Sequence, residues 1–495
     1  MQNISVSLKI VKRGQEAARL RTSFGPQVEA AVMKARARLL ALQRPEGYWW
    51  EELEANSTLT SEYVFLMHML DRVDEGRQAK CAAELLAEQL PDGGWGIGDG
   101  KGGQLSASIE AYAALKLVGC DLDSAPMARA RQFILARGGL GQARMFTRIH
   151  FALLGWWSYD ALPALPPWIM MLPERSPISI YQMSSWARSC VVPLIILLDK
   201  KPVWRPRRNI DLAELIVRRD GTCTDTQDAA SANGPGASSR NALFGVIDRV
   251  LRWLDRHDFV PLRRRSIRRA ESWILERQDD EGDWGGILPA MMYSLLALRA
   301  LGYAVDHPVL RRGRAAIDRF AIESGTRLRM QSCVSPVWDS ALAIWSLREA
   351  GLPADHPALA GGAHWLLGKQ VSRYGDWSVK NRGGKPGGWS FEFYNRYYPD
   401  CDDTAAVILA LHGLDLGPDN AYRDASIENA REWVLSMQCR NGGWAAFDVD
   451  NTQQLWNRIP FADHGAMLDE ASPDVTGHVL EILYAGAGDG ARAAA

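Results

Sequence analysis

Three carboxylates lie within four residues, at Asp400, Asp402 and Asp403, directly after an aromatic-rich run over 389–399. Carboxylates this close repel one another, and burial would add a desolvation cost, so at least one should keep its proton near neutral pH. A protonated carboxylic acid in a dry, aromatic cavity can protonate a carbon–carbon double bond. That step requires an acid of sufficient strength and a cavity that tolerates a cation, but no cofactor.

The same acids are also an ordinary way to begin a helix. Pro399 precedes them and the apolar segment 404–411 follows them. Acids in a first helical turn are stabilised as anions by the helix dipole, by about 0.3–1 kcal/mol each. A calcium loop is a third interpretation, but the glycine and spaced oxygen ligands of an EF-hand are absent. Taken alone, the cluster favours helix capping over acid catalysis.

Bulk composition narrows the class of protein. A chain of 495 residues should form more than one domain. Its net charge of −1, from 57 basic and 58 acidic residues, gives no reason to expect a nucleic-acid partner. Seven scattered cysteines without a C-x-x-C pair indicate a reducing compartment. We see no signal peptide and no apolar run long enough to cross a bilayer.

A short pattern of Gln, three residues, Gly, one residue and Trp recurs along the chain and predicts its architecture. Each copy follows an apolar-periodic helical segment, and most precede another. The copies are Gln43/Gly47/Trp49, Gln89/Gly93/Trp95, Gln278/Gly282/Trp284 and Gln438/Gly442/Trp444, with a longer fifth at Gln370/Gly375/Trp377. We interpret them as helix-hairpin repeats, in which Gln caps or bridges a helix end, Gly permits the turn and Trp packs on the next helix. Such units stack or close into a ring, so the predicted fold class is all-α.

Two polar segments, 93–103 and 223–240, are predicted loops. The second precedes an apolar-faced helix over 242–254 and a basic run with arginines at 263, 264, 265, 268 and 269. An apolar helix beside arginines suits the surface of an anionic bilayer. An ordinary packed helix with a solvated basic face fits equally well.

In combination, these patterns resemble the squalene–hopene cyclase and oxidosqualene cyclase family, over about residues 25–484. The repeats resemble that family's Gln–Trp motif, and residues 400–403 resemble the Asp-x-Asp-Asp motif of its squalene-cyclising branch. Further matches in family order are Ser-Pro-Val-Trp-Asp at 335–339, Lys-Pro-Gly-Gly at 385–388, Tyr-Tyr-Pro at 397–399 and Phe-Asp-Val-Asp-Asn at 447–451.

The resemblance implies two α/α barrels arranged as a dumbbell, with a large cavity between them. Residues 1–51 and 334–495 would form one barrel, and 52–333 an inserted second barrel. The family's repeats continue past residue 484, so we expect the first barrel to be incomplete at its C-terminal side, and 486–495 to be a disordered tail. Monotopic attachment on the cytoplasmic side of a membrane is typical of the family, and a homodimer is compatible with it.

The resemblance also suggests roles for individual residues. Asp402 matches the proton donor, with Asp400 and Asp403 holding flanking charges. His478 matches the histidine that hydrogen-bonds the donor, and Asp474 lies four residues before it on the same helix face. Aromatic faces would stabilise the growing cation by about 0.5–2 kcal/mol each. The matching cavity residues are Trp186, Trp338, Phe391, Phe447, Asp339, Asp448, Tyr398, Ile287, Pro289 and Tyr293, with Glu62, Glu110 and Arg144 at the far end.

Two residues depart from the family pattern, and one segment resembles a motif of other terpene synthases. Phe447 stands where the family usually has tyrosine, and His150 where it usually has tryptophan; His150 could accept a proton at the far end. Residues 279–283, Asp-Asp-Glu-Gly-Asp, superficially match the magnesium motif of ionisation-dependent terpene synthases. They fall in a repeat turn, so we predict a solvated turn and no metal.

The predicted function is cofactor-free cyclisation of squalene, or a similar polyprenyl hydrocarbon, to hopane-type triterpenes, with a hydro-lyase activity where the product is hopanol. Two alternatives remain. One is a protonation-initiated cyclase of a shorter or diphosphorylated prenyl chain. The other is an inactive remnant of a cyclase.

Overall fold

The computed structural model describes residues 25–98, 102–217, 262–459 and 466–486. Its α-helices are α1 Gly25–Leu42, α2 Ser57–Met69, α3 Glu75–Ala87, α4 Leu105–Val118, α5 Ala125–Ala136, α6 Met145–Leu154, α7 Ser185–Lys200, α8 Arg263–Glu276, α9 Leu288–Ala300, α10 Pro308–Asp318, α11 Pro336–Glu349, α12 Pro357–Leu367, α13 Trp377–Lys380, α14 Cys401–Leu411, α15 Asn420–Ser436 and α16 Pro473–Gly486. One antiparallel hairpin joins β1 Ala321–Ser324 to β2 Arg327–Met330. The all-α prediction is therefore confirmed, with this hairpin as a small exception.

The Gln–Gly–Trp units form the predicted hairpin turns. Gln43 donates from Nε2 to the Gly47 carbonyl at 2.7 Å and to the Ala358 carbonyl at 2.8 Å, so it links the turn to the first turn of α12. Gly47 has φ +103, and an added Cβ would lie 2.5 Å from the Gly361 carbonyl oxygen, which leaves room only for glycine. The indole N–H of the motif Trp donates to a carbonyl ten residues earlier in Trp49, Trp95, Trp284 and Trp444. The Gln side chain is thus a bridge between neighbouring hairpins.

In the fifth repeat, the prediction of Gly375 and Trp377 as the partners of Gln370 is wrong. Gln370 donates to Gly387 and Ser426, and Trp389 donates from its indole to Leu366. Trp389 therefore takes the place that we predicted for Trp377. An insertion that carries the short helix α13 separates Gln370 from its true partners, and a fixed spacing cannot reveal it.

Buried apolar side chains form two clusters. One is drawn mainly from α2–α10 and residues 140–215, together with Trp456, Met467 and Leu468. The other contains Trp49 and residues of α11, α12 and α14–α16. Gln43 and Trp49 bond to α11 and α12 across about 300 residues of sequence. The predicted division into 1–51 with 334–495, and 52–333, is compatible with these clusters and stays a prediction.

Several predictions concern residues outside the described ranges: the helix over 242–254, the loop over 223–240 and the tail after 486. Of the basic run, Arg264, Arg265, Arg268 and Arg269 are exposed on α8, whose opposite face is buried. An exposed basic face fits both interpretations of this region, so membrane attachment stays a prediction. Among the helices the structure describes, none is both long and apolar enough to cross a membrane.

Candidate active site

The acid cluster begins helix α14. Asp400 is its N-cap, and its Oδ1 accepts a hydrogen bond of 2.7 Å from the Asp403 backbone N–H. Asp400 is fixed in turn by its own N–H, which donates to the Trp389 carbonyl at 2.9 Å. The helix-start interpretation is therefore correct as local structure. It also orients the three side chains, because capping turns Asp400 inward and leaves Asp402 on another face.

Asp402 and His478 form a direct pair. His478 Nδ1 lies 2.5 Å from Asp402 Oδ1, although 76 residues separate them in the chain. The two side chains are 31% and 46% exposed, respectively. Asp474 lies in the first turn of α16, is exposed, and has its pKa lowered mainly by a hydrogen bond from Ser472. The structure therefore brings His478 to the predicted proton donor, and leaves Asp474 as a helix-start residue one turn away.

Burial disfavours charge on the two flanking acids, which we expected to be charged, and it does so most strongly at Asp403. Burial, the largest cause, raises the pKa of Asp403 well above its usual value, and the neighbouring Asp400 raises it further. Burial also raises the pKa of Asp400, to about 6. Both side chains are almost fully buried. Asp403 is therefore protonated at neutral pH, because a second anion beside Asp400 in a dry site is too costly.

A chain of contacts joins the acid cluster to an apolar cavity. The Cys401 backbone N–H donates to the Ala446 carbonyl at 2.8 Å, next to Phe447. The Phe447 ring meets the Trp186 indole edge-to-face, with centroids 5.8 Å apart. The Trp186 indole N–H is held by the Ala466 carbonyl at 2.8 Å. Two predicted aromatics thus contact each other, one next to the segment bonded to the acid-bearing helix and one in the cavity wall.

The cavity has a volume of about 260 Å³ and mostly apolar walls. Its lining residues are Thr58, Leu59, Glu62, Arg144, Phe146, Trp186, Ala187, Cys190, Val191, Pro289, Tyr293, Ala466 and Met467. Five of the predicted residues are in this set: Glu62, Arg144, Trp186, Pro289 and Tyr293. Their positions on α2, α6, α7 and α9 show that the cavity is built where these helices meet.

A buried polar cluster occupies one end of this cavity. The Arg144 guanidinium lies 3.8 Å from Glu62 and 3.5 Å from Glu110, and Thr147 donates to Glu110. His150 Nδ1 faces Glu62 at 3.6 Å, while its Nε2 is 2.9 Å from the Tyr293 hydroxyl. The predicted trio of Glu62, Glu110 and Arg144 is therefore assembled, with His150 added to it.

Burial sets the charges of this far cluster. It raises the pKa of Glu62 well above the usual value, with the neighbouring Glu110 as the next cause. Burial also raises the pKa of Glu110, but Arg144 and hydrogen bonds from Thr147 and Glu62 oppose that rise, so Glu62 is the member of the pair that favours the neutral form. The pKa of His150 is lowered to about 3, again by burial first, and its ring is neutral.

Glu62, Glu110 and His150 each place a ligand atom within 4.8 Å of the others, a spacing that would suit a divalent cation. The Arg144 guanidinium already supplies the positive charge beside both carboxylates. A metal ion would have to displace it or share the site with that positive charge.

The remaining predicted residues lie outside that cavity lining. Trp338 and Phe391 are half-buried, as is Ile287, which caps α9. Asp339 accepts hydrogen bonds from the Glu51 backbone and the Ser335 hydroxyl, both 3.1 Å long. Tyr398 and Asp448 belong to a buried ion cluster with Arg188 and Asp376. The Asp448 carboxylate is turned toward Arg188, and its assignment to the substrate cavity stays a prediction.

The predicted turn at 279–283 forms, and Asp280 and Glu281 are exposed, but the turn is not solvated throughout. Asp279 and Asp283 are each 4% exposed. Asp279 pairs with Arg396 at 3.1 Å, and Asp283 accepts a 2.7 Å hydrogen bond from the Gly286 N–H. Arg396 lies more than a hundred residues away, so the turn alone carries no sign of it.

Sequence reasoning missed two further groups. Arg188 is a fully buried arginine in the apolar helix α7, and a single basic residue inside an apolar periodic segment was its available signal. Asp469 accepts hydrogen bonds from the backbone N–H groups of Ala446, Phe447 and Asp448. It therefore fixes the segment that carries Phe447, and nothing in its own neighbourhood predicts this.

Helical hairpin repeats, an acid–imidazole pair and an apolar cavity are the features that the resemblance led us to expect of a terpene cyclase. Comparison with known proteins identifies the family. The model of the squalene-hopene cyclase N-terminal domain matches residues 32–326, and that of the C-terminal domain matches 334–493. The chain belongs to the squalene-hopene cyclase family of terpene cyclases.

Individual relatives agree with that assignment. A dammaradiene synthase from Dryopteris crassirhizoma is 43% identical over 92% of this chain and 66% of its own length. A squalene–hopene cyclase from Alicyclobacillus acidocaldarius is 42% identical over 92% of this chain and 71% of its own. The chain thus spans about two thirds of the length of these relatives. Abietadiene synthase from Abies grandis aligns over 89% of this chain and 47% of its own, at 15% identity and a TM-score of 0.37, too low to support an argument.

Proposed function

We propose that this protein cyclises squalene, or a similar polyprenyl hydrocarbon, to hopane-type triterpenes without a cofactor. The observation that carries the proposal is the Asp402–His478 pair, joined through Phe447 and Trp186 to an apolar cavity with a buried polar end. Relatives named squalene–hopene cyclase, at 37–42% identity, support the substrate class. The walls are apolar and aromatic, which suits a substrate without polar groups.

Initiation is a proton transfer. The carboxylic acid of Asp402 gives its proton to the terminal double bond, a C–H bond forms, and the positive charge passes to the more substituted carbon. His478 orients the carboxyl through its Nδ1 contact and can share the charge left on it. Each ring closure then moves the cation along the chain, where Trp186 and Phe447 offer aromatic faces. Asp402 takes a new proton from solvent, to which it is already accessible.

Termination falls to the far polar cluster. The final cation loses a proton to give an alkene, or takes up water and loses a proton to give an alcohol. The Glu62–Glu110 pair shares one proton between two carboxyls and can accept another. His150, neutral and bonded to Tyr293, is a second acceptor beside it. The cluster has the groups needed to take up the proton that Asp402 supplied at the start.

A dammarane-type product is the second candidate, because the relative of 43% identity is named a dammaradiene synthase. The same initiation would apply, and the ring count at termination would differ. Monotopic membrane attachment and the two-barrel division into 1–51 with 334–495, and 52–333, also belong to this proposal. The two separate apolar clusters support the division.

The test is incubation of the detergent-solubilised protein with squalene, with products identified by mass spectrometry. We expect cyclic triterpenes from the unaltered protein, and a loss of at least about 10²–10⁴-fold in rate for Asp402→Asn, which cannot donate a proton. Glu432→Gln, an exposed acid on α15, is the matched control and should be fully active. If the unaltered protein forms no cyclic product, or if Asp402→Asn forms it at the normal rate, the proposal is wrong.

A further inference from the structure

Four charged side chains form a buried cluster that neither initiation nor termination uses. Arg188 Nε donates to Asp376 at 2.9 Å, and its Nη2 lies 3.3 Å from both oxygens of Asp448. Arg277 donates to the other Asp376 oxygen from Nε at 3.0 Å and from Nη2 at 2.5 Å. We call these four residues, Arg188, Arg277, Asp376 and Asp448, the interfacial ion cluster. Its formal charges cancel.

The cluster bridges the two apolar clusters. Arg188 and Arg277 come from α7 and from the end of α8, whose apolar residues belong to the first. Asp376 precedes Trp377, which belongs to the second. Three of these side chains are 2% exposed or less, and Arg277 is 10% exposed. The ion cluster is therefore a fixed link across the boundary at which the cavity aromatics meet.

Every donor nitrogen of both arginines has a partner. Arg188 Nη1 donates to the Met183 carbonyl at 2.9 Å, and Arg277 Nη1 to the Trp273 carbonyl at 3.1 Å. Burial alone would raise the pKa of Asp376, but the two arginines hold it below its usual value. A buried ion group with all its donors satisfied has one low-energy geometry, because any shift leaves an unpaired charge in a dry site.

Three aromatic residues that the sequence analysis assigned to the substrate cavity are connected to this cluster. Trp186 lies two residues before Arg188 on α7, and Phe447 directly precedes Asp448. Tyr398 donates a hydrogen bond to Asp376 and lies 3.4 Å from the Ser189 hydroxyl. Three rings from three separate segments thus either lie within two residues of a member of the ion cluster or hydrogen-bond to one.

We propose that the interfacial ion cluster positions Trp186, Phe447 and Tyr398, and so determines how far ring closure proceeds before the cation is lost. This rests on the proposed cyclase function. Cation–π attraction depends on the distance and angle of the ring face, so a ring displaced by about 1 Å loses much of its effect. Arg188, Arg277 and Asp376 are positioning residues, since they act through the aromatics.

The test compares Asp376→Asn with a matched control. Asparagine keeps the shape but removes the charge that both arginines share. Glu174→Gln is the control, because Glu174 and Arg382 form an exposed pair of 2.7 Å between the same two parts of the chain. We expect Asp376→Asn to raise the share of partly cyclised products by about tenfold, a bias of 1.4 kcal/mol between competing exits. Glu174→Gln should give the original product ratio.

A readout that does not depend on activity accompanies the product analysis. With 5-fluorotryptophan incorporated, the fluorine NMR signal of Trp186 can be assigned from its absence in Trp186→Phe. We expect it to shift in Asp376→Asn and not in Glu174→Gln. If Asp376→Asn does not fold, Arg188→Lys keeps the charge, loses the planar fork, and should show both effects in milder form.

Each possible result either supports or overturns the positioning role of the interfacial ion cluster. An unchanged product ratio with only a lower total rate would mean that the cluster serves stability alone, and the inference would be overturned. If the unaltered protein makes no product at all, the proposed function fails and the NMR signal decides by itself. In that case an unshifted Trp186 signal in the folded variant overturns the positioning role, and a shifted one supports it.

Discussion

The two ends of the candidate site use the same chemical groups in opposite surroundings. Asp402 and His478 form a carboxyl–imidazole pair whose side chains are 31% and 46% exposed. Glu62, Glu110 and His150 form a second carboxyl–imidazole group, with side chains no more than 5% exposed. Residue types alone would give these ends the same role. Their burial separates them.

The difference in solvent exposure suits the two ends to different steps. The side chains of Asp402 and His478 are reached by solvent, so a proton donated from Asp402 can be replaced from water. The buried group is held near neutrality, with a proton kept on Glu62 and an uncharged imidazole at His150. A donor that must be reloaded and an acceptor that must tolerate a nearby cation are suited to these different settings. We therefore expect substitutions at the exposed end and at the buried end to have different effects.

The largest expected effect is at the exposed end. His478→Ala removes the group that orients the Asp402 carboxyl and opens that carboxyl further to water. We expect kcat to fall by about 10²-fold, with little change in KM, because an orienting hydrogen bond acts in the proton-transfer step. Rates of squalene consumption measure this. Glu481→Gln, an exposed acid on the same helix, is the control. A normal rate in His478→Ala would show that the contact with Asp402 is structural only.

Much of this contrast could not be predicted from the sequence. The repeat turns were predictable, because Gln43, Gly47 and Trp49 act over a few residues. The contact between Asp402 and His478 spans 76 residues and was expected only from the family resemblance. Burial is a property of the whole fold, so the sequence could not predict that it raises the pKa of Asp403 more strongly than that of Asp400.

The errors share one physical cause, which is a partner distant in sequence. Trp377 had the spacing of a repeat residue, but Trp389 takes the place, beyond an inserted segment. The sequence around Asp279 predicts a solvated turn, but Asp279 is buried and forms an ion pair with Arg396. Local patterns thus predict which helices and turns form. They do not predict which charged groups those elements bring together inside.

The buried end should control stability in acid. Burial lowers the pKa of His150 to about 3, while in the unfolded chain it would be about 6.5. Between these values unfolding takes up a proton, so the free energy of unfolding falls as pH drops, by up to about 1.4 kcal/mol per pH unit from this group. His150→Gln removes that titration but can still bond to Tyr293.

Urea unfolding at pH 7, 6 and 5 tests this. The stability of His150→Gln relative to the unaltered protein should rise as the pH is lowered. Glu62, Glu110 and Arg144 face the ring in both proteins, so their own titration largely cancels in the difference. His364→Gln, at an exposed site on α12, is the control. A difference that is constant with pH would mean that the imidazole is not kept neutral by burial.

The smallest expected effect separates the two carboxyls of the buried pair. Because Glu62 already carries the proton, Glu62→Gln replaces a neutral group by one of similar shape that can also donate to Glu110. We expect its free energy of unfolding to change by less than about 1 kcal/mol. Glu110→Gln instead removes the carboxylate that pairs with Arg144 and Thr147, and should cost about 1–3 kcal/mol. Urea unfolding at pH 7 of the two variants, whose side chains differ from the original by one atom each, gives the comparison. The reverse order would place the shared proton on Glu110. Glu62 would then be the basic site that receives the final proton.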